Sequence, residues 1–525
     1  MRDLTGSRDP VRERPTGTTG RLGYAGEAVR PHPHLLEISA WPWLERLSRD
    51  RGQLITLRNV PGTEWDRVAA GGLDLVFLMG VWRRSAIGRA IAQTDAGLMP
   101  TYDRVLPAWT GADVVGSPYS IQAYTPDDRM GGWPGLDAAR HELRTRGIGL
   151  ILDFVPNHTG FDHDWLSANP ALYVQGTEDD NRAAPGHFRA IMHHGTTVFV
   201  ACARDPYFAP WTDVAQLNAF NPETRLALRE TLHAIRAHCD GVRCDMAMLA
   251  LNEVFERTWR VLLRDHWPQP AGEFWPAAIR ETPQFLYLAE VYWSLENVLL
   301  DQGFDAAYDK RLLDGLHAPD AGIRTRSLLA AGTPPPARLA RFLENHDEPR
   351  SAVTLAGRLE AAVSLLATSP GMRFFFDGQM DGRRINPPVQ LGRWPDETPD
   401  ADLRSLYDRV LGVAAGTLWH DGEWKLLDVS TAGDPTFTNI VSWRWRTSTA
   451  LGVVVVNLGS EPSTAYVALA GDLHAGPEFD FDDRLTDVRY RRTRQDLERT
   501  GLYVRLEGGR AHLFLVEPSA AMMGE

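Results

Sequence analysis

Short apolar runs alternate with longer amphipathic stretches between residue 34 and about residue 420. HLLEISAW (34–41), LDLVFLMG (73–80), GIGLILDFV (147–155) and DGVRCDM (240–246) have the length and content of buried strands. FLYLAEVYW (285–293), GFDAAYDK (303–310), RLARFLENHD (338–347) and MRFFFDGQ (372–379) bring the series to eight. The intervening GLDAARHELRTRG (135–147) puts Leu136, Ala139 and Leu143 on one helical face. PETRLALRETLHAIRAH (222–238) follows Asn221, a good N-cap, and places Pro222 at the first helical position. Strand–helix alternation predicts a parallel α/β fold, and eight strands is the number that closes a (β/α)8 TIM barrel. An open doubly wound sheet fits the same alternation.

Spacing refines this picture. Asp153 and Asp245 end the third and fourth strands but lie about 90 residues apart, against roughly 30 for one βα unit. The surplus is rich in Pro, Gly, Asp and Asn and reads as a loop-like subdomain inserted after strand three. After about residue 420 the runs FTNIVSWRW, LGVVVVNLG, TAYVALAG and AHLFLVEP predict an antiparallel β-sandwich. The expected organisation is a flexible tail (1–30), a barrel (31–157 and 219–420), an insert (158–218) and a C-terminal sandwich (421–525).

Composition narrows the function. A formal net charge of −13 argues against nucleic acid, which needs a basic face. Nothing approaches the roughly 20 apolar residues of a membrane span, and the start of the chain lacks the apolar core of a secretory signal. A cytoplasmic location is expected. Three cysteines, Cys202, Cys239 and Cys244, make no even disulfide framework.

Ionisable residues at the ends of apolar strands carry the chemistry, because the C-terminal face of a barrel is where active sites form. Strand three runs into Asp153, Asn157 and His158; strand four carries Arg243 and Asp245 on one face. Strand five ends in Glu290, and strand seven in Glu344, Asn345, His346 and Asp347. Two carboxylates flanking an acetal suffice for glycoside hydrolysis. Arg243 is expected to lower the pKa of Asp245 and keep this nucleophile ionised. Burial in FLYLAEVYW is expected to raise Glu290 and keep it protonated as the acid. Asp347 supplies negative charge near the transition state, and His158 and His346 reach sugar hydroxyls. Each group also has a plainer reading as a cap or a structural ion pair; their occurrence together is the specific signal.

ILDFVPNHTG, DGVRCDMAM, LYLAEVYW and FLENHDEPR resemble, in order, the four signature segments of the α-amylase superfamily, glycoside hydrolase family 13. DVAQLNAFNPETR and VVGSPYSIQAY resemble two further segments of that family. The resemblance implies Asp245 as nucleophile, Glu290 as acid/base and Asp347 as transition-state stabiliser. It places Tyr119, His158, Arg243 and His346 on the substrate. Arg350 resembles an arginine of members that hold one terminal glucosyl unit, although the position of its acidic partner is Gly116 here. Family members often bind Ca²⁺ through the residue matching Asn157, yet Met248 and Leu249 stand where a further ligand often lies. No cofactor is required and no metal residue is assigned. FFFDGQMDGRRINPPVQLGR (374–393) departs from the family and reads as an Arg-rich loop near the rim.

The expected activity is retaining hydrolysis of α-glucosidic bonds in oligosaccharides or small α-glucosides, through a covalent glycosyl-enzyme intermediate. Transfer of the glucosyl unit to another acceptor uses the same residues, and a non-catalytic sugar-binding protein is the reading from another class.

Overall fold

Eight parallel strands close on themselves in this computed structural model, which describes residues 23–24, 27–263 and 266–519. They are β1 (His34–Ser39), β2 (Leu75–Met79), β3 (Gly149–Phe154) and β4 (Gly241–Cys244), then β5 (Leu286–Ala289), β6 (Ala306–Tyr308), β7 (Leu339–Phe342) and β8 (Met372–Phe376). Each lies inside one of the apolar runs read from the sequence, and β8 pairs with β1 to complete the ring. The open doubly wound alternative is thereby excluded.

Strand alternation explains the two cores. Leu35, Phe77, Ile151, Leu288, Phe342 and Phe374 fill the barrel interior. Their neighbours Leu36, Val76, Leu150, Val242 and Phe375 face the surrounding helices. The helix Pro222–Arg236 starts as expected: Asn221 accepts a hydrogen bond from the Glu223 amide, with Pro222 at the first position.

The stretch 158–218 is more ordered than its composition suggests. His158–Gly160 pairs antiparallel with Trp211–Gln216, which pairs with Thr196–Ala203, which pairs with Phe188–His193. Its strands are short and find partners far along the chain, such as His158 opposite Gln216, so local pattern could not reveal them.

The C-terminal part forms a six-stranded and a three-stranded antiparallel sheet. In the strand Leu451–Asn457, Val453 and Val455 pack into the core between the sheets, whereas Val454 and Val456 face the barrel. Trp443 and Trp445 dock the sandwich: both indole N–H groups donate to the carbonyl of Thr368, at 3.2 and 2.7 Å.

Most of the expected N-terminal tail lies outside the described residues. Its end does not fit that expectation, because Val29 is buried and Arg30 pairs with Asp74 at 2.6 Å. No helix among the described residues is long and apolar enough to cross a membrane.

Candidate active site

The buried guanidinium of Arg243, pointing inward from β4, organises the C-terminal mouth of the barrel. Its Nη1 lies 2.8 Å from Asp245 and 3.4 Å from Asp153, and its Nη2 lies 2.8 Å from Glu290. Asp153 reaches it because β3 and β4 place the two residues in register. Asp153 also accepts a hydrogen bond from the Gly80 amide at 3.1 Å.

Glu290 is held from both sides. The Met246 amide donates to its Oε2 at 2.7 Å, and the Tyr292 hydroxyl donates to its Oε1 at 2.9 Å. Met246 reaches this position with φ of 41°, a left-handed conformation that non-glycine residues seldom adopt. The turn after Asp245 therefore aims a backbone donor at the second carboxylate.

Beyond β7, Asn345 accepts hydrogen bonds from the amides of Asp347 and Glu348, both at 2.9 Å, which shapes the turn that presents Asp347. His346 sits between Glu37 (2.5 Å at Nδ1) and Asp347 (3.1 Å at Nε2), with the Tyr119 hydroxyl 2.7 Å from Nε2. His158 is buried, and its ring meets Trp211 edge-on at 5.4 Å. A cavity of about 270 Å³ opens here, lined by Tyr119, His158, Trp211, Asp245, Glu290 and Asp347 among others.

Electrostatics separate the carboxyl groups. Burial pushes Glu290 up to about 7, beyond what Arg243 offsets. Asp153 is likewise raised by burial to about 7. Asp347 has a side chain that is 51% exposed to the cavity. Partial enclosure raises its carboxyl, but the neighbouring His346 more than offsets this and holds it below the usual range. His346 is itself held well above its ordinary value: Asp347 and Glu37 overcome its burial. The expectation that Arg243 lowers Asp245 needs correction. Burial outweighs the cation and raises Asp245, because Arg243 divides its charge among three carboxylates.

Arg350 also departs from expectation. It does not line the cavity; its Nη1 pairs with Glu344 at 2.8 Å and donates to the Asp377 carbonyl at 2.8 Å. Its Nε donates to the Ile385 carbonyl, and the guanidinium lies over Phe376 at 4.3 Å. It braces the 374–393 loop, so its assignment to substrate is withdrawn. Tyr119, His158, Asp245, Glu290 and Asp347 do line the cavity, while Arg243 and His346 act on the lining groups from behind.

Glu37, Tyr292, Trp211 and Tyr308, whose hydroxyl accepts from Arg243 Nε at 3.4 Å, were not picked out from the sequence. Glu37 left a signal there, as the lone acid in the apolar run HLLEISAW. The aromatic residues left none, since such residues pack cores equally well.

Calcium does not fit at Asn157. The Gln216 amide nitrogen donates to the Asn157 carbonyl (2.9 Å), to Asn157 Oδ1 (2.9 Å) and to the Leu217 carbonyl (3.0 Å). An N–H donor thus occupies the point where these oxygens converge, and Met248 and Leu249, after the second signature segment, are buried apolar residues. No cluster of three metal-ligating side chains occurs among the described residues.

No sequence-family model matches the chain. It is 26% identical over 332 residues to the alpha-amylase MalA of Haloarcula japonica, covering 61% of this chain and 44% of that protein. Among solved structures, the maltogenic alpha-amylase AmyB of Thermotoga neapolitana superposes with a TM-score of 0.64 at 15% identity, covering 92% of this chain and 98% of the other. The alpha-amylase of Geobacillus thermoleovorans gives 0.63 at 16% identity, covering 94% and 100%. The chain is thus similar in sequence to an alpha-amylase and shares the fold of solved alpha-amylases. The match spans less than half the length of its curated relative from Haloarcula japonica. Within the superfamily fold, the four segments noted in the sequence are the ones whose ends meet at Arg243 and at the cavity.

Proposed function

We propose that this chain is a retaining α-glycoside hydrolase acting on α-glucosidic bonds of oligosaccharides or small α-glucosides. The observation that carries the reading is one guanidinium, Arg243, gripping Asp245 and Glu290 at 2.8 Å each beside a cavity that Asp347 also lines. Sharing one cation holds the two carboxylates together at one end of the cavity, the arrangement in which a retaining pair, about 5–5.5 Å apart, works. The names of the relatives, α-amylases and a maltogenic α-amylase, support the same class of substrate.

In the first step Asp245 attacks the anomeric carbon while Glu290 donates its proton to the departing glycosidic oxygen. The product is a glycosyl ester on Asp245 and a free alcohol. Glu290, now a carboxylate, takes a proton from an incoming water, which attacks the anomeric carbon and releases Asp245. A carboxyl raised to about 7 suits both duties near neutral pH. Asp347, positioned by His346 behind it, receives sugar hydroxyls, and its carboxylate stabilises the positive charge developing on the ring.

Proton NMR of the first-formed product from an aryl α-glucoside or a maltooligosaccharide tests this. The α-anomer is expected first, and Asp245→Asn is expected to abolish turnover. A β-anomer as first product would refute the mechanism.

A further inference from the structure

We propose that the cavity is closed on the side that receives the non-reducing end, so that the protein releases one terminal sugar unit at a time. The proposal rests on the glycosidase reading above and specifies its substrate class.

Barrel geometry gives the direction. Glu290 ends β5, and in the closed ring β5 stands opposite β1, four strands away in either direction. The group that Glu290 protonates leaves on the β5 side, so the sugar retained by Asp245 extends toward β1 and the loops that flank it. Those loops follow β8 and β2, and they are joined to each other.

The Val115 amide donates to the Gln390 carbonyl, and the Gly392 amide donates to the Asp113 carbonyl, both at 2.8 Å. Val114 and Leu391 form an antiparallel bridge and are buried. Arg393 pairs with Asp113 at 2.8 Å. Arg84 ties the two segments from below, donating to the carbonyls of Gly116 (2.5 Å) and Val389 (3.2 Å). Gly116 has φ of +90°, and a Cβ there would lie 3.2 Å from the backbone of Arg89, so only glycine serves this corner. At the far end, Asn386 donates to the carbonyls of His346 (3.0 Å) and Glu348 (2.8 Å). The wall is therefore continuous from the loop after β2, through the loop after β8, to the loop after β7. Ser117 and Gln390 of this wall line the cavity.

Two polar groups await a ligand at this end. Asp213 lines the cavity next to the β2 loop, where Ser120 donates to its backbone carbonyl at 2.9 Å. Neither the Asp213 carboxylate nor the Gln390 amide has a side-chain partner among the described residues. A carboxylate and an amide facing a sugar pocket suit the free hydroxyls of a terminal pyranose, which a chain continuing past that point would no longer present.

The test uses the full chain with 4-nitrophenyl maltoheptaoside, free or carrying a 4,6-ethylidene block on its non-reducing end. Glucose is expected as the first product from the free substrate, with cleavage of the blocked one slower by about a hundredfold or more. Internal cleavage of the blocked substrate at a comparable rate, or longer sugars as first products, overturns the proposal while leaving the glycosidase reading intact. Failure to cleave any α-glucoside overturns both. Asp213→Asn is expected to raise KM for aryl α-glucosides about tenfold and to narrow discrimination against their 4-deoxy and 6-deoxy analogues. Unchanged KM and discrimination remove Asp213 from the terminal subsite.

Discussion

The carboxylate of Glu37 holds the imidazole of His346 at 2.5 Å, although 309 residues separate them in the chain. Glu37 is fully buried on β1, and the other ring nitrogen of His346 faces Asp347 and Tyr119. The relay keeps His346 charged and aimed at the substrate side of Asp347. A hydrogen bond to a charged group contributes about 1.5–3 kcal/mol. Glu37→Gln is therefore expected to lower kcat about ten- to a hundredfold with a smaller change in KM. Steady-state kinetics that show an unchanged kcat would assign Glu37 to folding alone.

The same pair makes stability depend on pH. The folded-state value of His346 is raised above 6.5, so its stabilisation is fully present below about 6.5 and is lost as pH rises through the folded value. His158 acts in the opposite sense. Burial lowers it to about 3, so stability falls as pH drops from 6.5 toward 3. Urea midpoints measured across pH should decline on both sides of a neutral to mildly alkaline maximum. Glu37→Gln should flatten the alkaline decline.

Glu290, raised to about 7, must be protonated to act as the acid. kcat/KM is expected to fall tenfold per pH unit above about 7 for substrates with poor leaving groups. Glu290→Gln should retain far more activity on aryl glucosides with good leaving groups than on maltooligosaccharides. Equal losses on the two substrate types would argue against this role.

Gln216 fills the convergence of oxygens at Asn157 with an amide. Chelation by EDTA is expected to leave Tm and turnover unchanged. Gln216→Ala should destabilise the fold by about 1–3 kcal/mol, because it strands buried acceptors. A Tm that falls on chelation and recovers with calcium would contradict this account.

Arg350 pairs with Glu344 inside the protein, and both side chains are almost wholly inaccessible. Arg350→Met leaves Glu344 as an uncompensated buried charge, which costs about 3–5 kcal/mol. Thermal unfolding should register this loss. Limited proteolysis should find the 385–391 segment newly sensitive, because Arg350 no longer holds the Ile385 carbonyl.

The barrel was legible in the sequence because buried parallel strands read as short apolar runs, and each of the eight runs holds one strand. Asp245, Glu290 and Asp347 stood out in the sequence as acids at the tips of such runs, and the fold brings all three to one cavity. The strands of the insert were less legible, since pairings such as His158 with Gln216 form only once the chain has folded back. Arg350 misled because its neighbourhood in sequence matched a substrate-binding pattern, whereas its neighbours in space are Glu344, Phe376 and Trp394.

By itself, the sequence determined the eight strands and the acids at their tips, because local periodicity and residue type suffice for those. Only the tertiary structure decided the protonation of the acids. That depends on burial and on how many carboxylates share Arg243. Only the tertiary structure raised the wall across the site, because the bonds between Asp113 and Arg393 join segments 280 residues apart.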